Sequence, residues 1–230
     1  IRLDPAAHTS KGLSFNEVVE AVLEGIKAST LRAKLILCMK RDREFEENKL
    51  IVDLAKKYLK KGVAAVDLIG DELLYPTRSF AELFAYAKDC GVPFVLHVGE
   101  TGTALDIDEA ISFGASRIGH GVKAITSFET MESLKENDIP LEICLSSNLD
   151  SGLFEKSADH PVMRLVDSGV GVVICTDNRT LSNTSLTDEY NTLNRVFGFT
   201  INEFTTMNRL AVDHAFLSEK EKAEVLKELE

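Results

Sequence analysis

No stretch of 18 consecutive apolar residues occurs in this 230-residue chain, so no part of it reads as a membrane-spanning helix. No two cysteines are spaced C-x-x-C: Cys38, Cys90, Cys144 and Cys175 stand apart, three of them inside apolar, strand-like runs. Such thiols fit a reducing compartment better than a disulfide framework or a thiolate metal site. Positive charge is scarce, with 26 Lys and Arg against 37 Asp and Glu, a net charge of −11. That balance disfavours a surface that grips nucleic acid and suits a soluble, cytoplasmic protein. No secretory leader is expected. A G-x-G-x-x-G after the first strand-like run is also missing, which argues against a dinucleotide-binding fold.

What remains is a chain with 44% hydrophobic residues, enough for one large core, read as a single domain over residues 1–230. Strands are expected at 1–4, 33–39, 64–70, 93–99, 117–121, 141–146 and 171–176. From the second onward they recur roughly every 25 to 30 residues, the cadence of βα units. Between them lie helical patterns. Ser14 and Glu17 form a capping box ahead of Val18, Val19, Val22, Leu23 and Ile26, and Ser79 with Glu82 is expected to repeat it. Leu50, Ile51, Leu54 and Tyr58 predict another apolar stripe. Gly62, Gly91, Gly114 and Gly169 each precede a strand, where a left-handed helix cap belongs.

Seven parallel strands with crossover helices leave an open doubly wound sheet or a TIM-type (β/α)8 barrel. Asp67, His97, His120, Ser146 and Asp177 are expected at the carboxyl ends of strands, and a barrel converges those ends on one rim. The barrel is therefore the expected architecture.

Four constellations carry chemistry. In "HVGET" His97 closes a strand and Glu100 follows on the turn; a hydrogen-bonded His and a helix-proximal Glu would look the same. In "RIGHG" His120 sits between two glycines that let backbone approach a ligand, or it is a solvated loop residue. In "VVICTDN" Asp177 ends a buried run, where a carboxylate caps a helix, is paired, or binds a metal. In "VDLIGDE" Gly70 can offer a backbone N–H, with Asp71 and Glu72 as loop carboxylates. Jointly these are the parts of metal-assisted hydrolysis. His8, His160 and His214 read as structural.

The motifs "VDLIGDE", "HVGET", "RIGHG", "LEICLSSN" and "CTDN", in this order and spacing, resemble those of the adenosine deaminases of the amidohydrolase superfamily. The resemblance covers the whole chain, from that family's second barrel strand onward. It implies a zinc-dependent hydrolase acting on a small purine nucleoside in purine salvage: attack of zinc hydroxide on C6 of adenosine or 2'-deoxyadenosine, with loss of ammonia. It implies His97 and Asp177 as zinc ligands, Glu100 as proton donor to purine N1, and His120 as the group that orients and helps deprotonate the attacking water. Asp177 would also partner that water, Gly70 would meet purine N3, and Asn178 purine N7.

Two departures stand out. Asn178 occupies a position where many members have Asp; its amide donates to N7 without needing a proton. The family's first-strand H-x-H, which supplies two more zinc ligands, occurs nowhere in the sequence, so the first strand is expected to be missing. Alternative readings are a deaminase of another aminopurine, such as adenine or an N6-substituted adenosine nucleotide, or a catalytically incomplete fragment.

Overall fold

A computed structural model of the chain describes residues 1–229. Seven strands form one parallel sheet in sequence order: β1 (Arg2–Leu3), β2 (Leu35–Lys40), β3 (Val63–Ile69), β4 (Phe94–Val98), β5 (Ile118–His120), β6 (Leu141–Ile143) and β7 (Val172–Ile174). Parallel neighbours cannot be joined by hairpins, so each connection runs through helical segments, the βα plan expected. The principal helices are α1 (Phe15–Ala28), α2 (Phe45–Tyr58), α3 (Ala81–Asp89), α4 (Ala104–Phe113), α5 (Phe128–Glu136), α6 (Leu145–Asp150), α7 (Val162–Asp167), α8 (Leu186–Phe197), α9 (Ile201–Asp213) and α10 (Glu219–Lys227).

Strand side chains alternate between two faces, and here the faces differ in kind. One row (Leu37, Met39, Val66, Leu68, Leu96, Ile118) packs into the large core shared with the helices. Burying each such Leu or Ile stabilises the fold by about 1.5–3 kcal/mol. The other row begins with a small apolar layer, Ile36, Ala65 and Val95 against Phe216. Two residues further along the same strands it becomes Cys38, Asp67 and His97. That second face carries the titratable side chains, and His97 near the end of β4 belongs to it.

Local expectations hold with three corrections. The Ser14–Glu17 capping box forms, and Gly62, Gly91, Gly114 and Gly169 all adopt positive φ. Ser79 caps nothing: Pro76 starts a short 3-10 turn at Thr77, so Ser79 is already inside it when α3 begins. Leu50 lies on the solvent side of α2, 55% exposed. The sixth strand stops at Ile143 and the chain turns at once into α6, so Ser146 belongs to a helix; its N–H donates to Glu189.

Candidate active site

His97 lies in β4 with its Nδ1 2.9 Å from Asp67 Oδ2. Asp67 is not at the rim, as expected from sequence, but inside β3 and fully buried. Arg2 donates to Asp67 and to Glu142, and Arg117 Nε donates to Glu142 Oε1 at 2.7 Å. A chain of alternating charges therefore underlies His97. Burial alone would raise the Asp67 carboxyl, but the His97 and Arg2 charges outweigh it and hold it at about 2. Burial likewise opposes a charged His97, and the Asp67 carboxylate outweighs it, raising the imidazole. A ring with Nδ1 against a carboxylate turns Nε2 outward, the arrangement of an acid-backed metal ligand.

His120 ends β5 at φ +60°. The flanking glycines make room for protein rather than for a ligand. A Cβ on Gly119 would sit 3.0 Å from His97 Nδ1, and one on Gly121 would sit 2.5 Å from Leu141 Cδ2. The His120 ring meets His97 edge-on with centroids 5.1 Å apart, and its Nε2 lies 3.6 Å from Glu100 Oε2. Burial, reinforced by the His97 charge, lowers His120 to about 4. Burial raises the Glu100 carboxyl in turn.

The loop after β7 carries Asp177 at φ +53°. Non-glycine residues in that region cost of order 1–3 kcal/mol and persist where surroundings impose them. Ser147, in α6, donates its hydroxyl to Asp177 Oδ2 at 2.6 Å, and the Asp177 charge is felt by both Glu100 and His120. Asn178 Oδ1 accepts the backbone N–H groups of Thr180 and Leu181 at 3.2 and 3.1 Å. Gly70 follows β3 at φ +119°, with the Arg41 backbone nitrogen 3.4 Å from where its Cβ would be. Its neighbours divide: Asp71 accepts from Leu73 and Leu74, whereas Glu72 turns inward beneath the Glu100 loop.

A family model described as adenosine deaminase matches residues 1–230. The chain belongs to the adenosine deaminase family. An adenosine deaminase of Clostridium acetobutylicum is 40% identical over 235 residues, covering 100% of this chain and 70% of that relative. Among solved structures, an adenine deaminase from Arthrobacter aurescens superposes with a TM-score of 0.90 at 26% identity, over 100% of this chain and 71% of that one. The N6-mAMP deaminase from arabidopsis gives 0.88 at 28% identity, over 99% and 71%. The chain is thus an adenosine deaminase-type hydrolase on a TIM-type barrel fold.

For this deaminase-family chain, zinc can be tested against the donors present. His97, backed by Asp67, and Asp177 are the right kinds of ligand. Among the described residues, however, no group of three or more His, Cys, Asp or Glu side chains is poised to hold a metal ion. The donor set fits zinc in kind and is short of the three protein ligands usual at catalytic sites.

The supporting roles of several residues escaped the sequence reading. Asp67 and Glu142 are charges inside apolar strands, and that anomaly was the available signal. Ser147 and Asn148 lie within "LEICLSSN". His160, read as structural, is buried 3.2 Å from Asn148 Oδ1, and no local pattern announces that contact.

Proposed function

We propose that this chain deaminates adenosine and 2'-deoxyadenosine hydrolytically, with zinc, releasing ammonia and the inosine product for purine salvage. The observation that carries the proposal is the facing pair Glu100 and His120, a carboxyl raised by burial 3.6 Å from an imidazole that burial keeps neutral.

In this reading His97 and Asp177 would hold the zinc, one short of the three protein ligands usual at a catalytic site. When bound, zinc lowers the pKa of water enough to supply a nucleophile near neutral pH. Glu100, whose carboxyl burial shifts towards the protonated form, gives a proton to purine N1 as water adds to C6; the proton the water releases passes to the amino group, which leaves as ammonia, and the C6 hydroxyl proton restores Glu100. His120 orients the attacking water through its Nε2–H and stabilises the charge growing on its oxygen, and Asp177 partners the same water and takes the proton it gives up. The Gly70 N–H meets N3. Asn178 Oδ1 is committed to two backbone N–H groups, which leaves its amide nitrogen to donate to N7.

A second reading, an adenine or N6-substituted nucleotide deaminase, is supported by the two structural neighbours bearing those activities in their names. Ammonia release from adenosine, 2'-deoxyadenosine, adenine and N6-methyl-AMP, measured with zinc present, tests both. Fastest turnover of adenosine supports the proposal and fastest turnover of another purine moves the substrate. No turnover of any, with bound zinc well below one equivalent, would reduce the chain to an incomplete fragment.

A further inference from the structure

A row of hydrogen bonds ties the candidate site to the first turn of α7. The Val162 N–H donates to His160 Nδ1 at 3.1 Å; His160 Nε2 lies 3.2 Å from Asn148 Oδ1; Asn148 Nδ2 lies 3.1 Å from both His120 Nδ1 and Glu100 Oε1. Asn148, His120 and His160 are all at most 3% exposed, so water does not offer substitutes for these bonds.

The His160 end of the row is chemically unambiguous. Val162 presents a backbone donor, one of the N–H groups a helix start leaves without an intrahelical acceptor, so His160 Nδ1 is unprotonated. Burial holds His160 neutral, down at about 4, so its single ring proton is on Nε2 and points at Asn148. An Asn148 amide turned the other way would set its NH2 against the His160 Nε2–H. Its oxygen therefore faces His160 and its nitrogen faces His120 and Glu100. His120 Nδ1 receives a proton donor, which leaves the His120 proton on Nε2, beside Glu100.

We propose that Asn148 and His160 are positioning residues that fix the tautomer of His120, presenting its Nε2–H to the cavity through a relay anchored on the first turn of α7. The proposal rests on the reading of His120 as the group that meets the attacking water. A single hydrogen-bonded row thereby sets both the proton position on His120 and the placement of Glu100.

The test is long-range 1H–15N correlation spectroscopy of the protein labelled with 15N-histidine, each ring assigned through its own substitution. The expected result is unprotonated Nδ1 and protonated Nε2 on both His120 and His160. In Asn148→Asp, whose second oxygen faces His120, the His120 proton moves to Nδ1. His160→Leu releases His120 into a mixture of tautomers, and His160→Gln, whose amide can still donate to Asn148, restores the single form. In active enzyme the first two changes lower kcat about 10- to 100-fold with KM little changed, and His160→Gln recovers most of the loss. His120 protonated at Nδ1 in the unsubstituted protein overturns the proposal whether or not any variant folds. An unaltered His120 tautomer in folded Asn148→Asp overturns it equally. The correct tautomer in a protein that deaminates no purine would sink the functional reading and leave the relay standing.

Discussion

Glu72 Oε1 lies 3.0 Å from the backbone nitrogen of Glu100, so one carboxylate holds the turn that presents another. The same oxygen accepts from Thr101 at 3.0 Å, and Oε2 accepts from Gly99 at 2.6 Å. Three consecutive N–H groups thus converge on one buried side chain. Glu72→Ala leaves them without their acceptor, and a loss of about 2–3 kcal/mol in urea unfolding is expected. Faster hydrogen exchange at residues 99–101 should accompany it. Unchanged stability and exchange would show that the turn holds itself.

Glu100 is assigned proton transfer and no part in metal binding. Glu100→Gln keeps the shape and the hydrogen bond from Asn148 but cannot supply an acidic proton. Turnover should fall at least about 100-fold while zinc content is unchanged. Loss of zinc in that variant would show the role to be wrong. Metal analysis beside steady-state kinetics separates the two.

Asp177 occupies a backbone conformation that glycine adopts freely. If the strain is held for function, Asp177→Gly should unfold at a higher urea concentration, by about 1 kcal/mol, while zinc binding and turnover both drop. A variant that gains stability and keeps its metal would remove Asp177 from the ligand set.

His160 makes stability depend on acid. Unfolded, its imidazole takes a proton below about 6.5; folded, burial delays protonation to about 4. Between those values the unfolded chain binds more protons, so stability conferred by the neutral ring is complete above about pH 6.5 and is lost as pH falls towards 4. His160→Gln should flatten that part of the profile by about 3 kcal/mol. Urea midpoints at pH 7, 5.5 and 4 measure it, and an unchanged slope would count against a neutral buried ring.

Much of the candidate site was legible because its residues interrupt local patterns. His97 and Glu100 end an apolar strand, His120 is bracketed by glycines, and Asp177 closes a run of β-branched residues. The glycines of "RIGHG" were noticed for one reason and serve another: Gly119 clears space for the His97 ring, which belongs to the neighbouring strand. Ser79 carried every local mark of a cap and lost the role to a 3-10 turn opened by Pro76.

Local sequence pattern is enough to set the βα order, the parallel sheet, the helix caps at Ser14 and the four glycines, and the residue types gathered at strand ends. These follow from periodicities and backbone preferences that act within a few residues. The tertiary structure decided which side chains touch. Asp67 meets Arg2 and His97, Glu72 reaches under Glu100, and His160 reaches Asn148, through contacts between segments that only the curled sheet and its packed helices bring together. A buried polar group must find a partner wherever the fold puts one, and that choice depends on distances in space that no local pattern encodes.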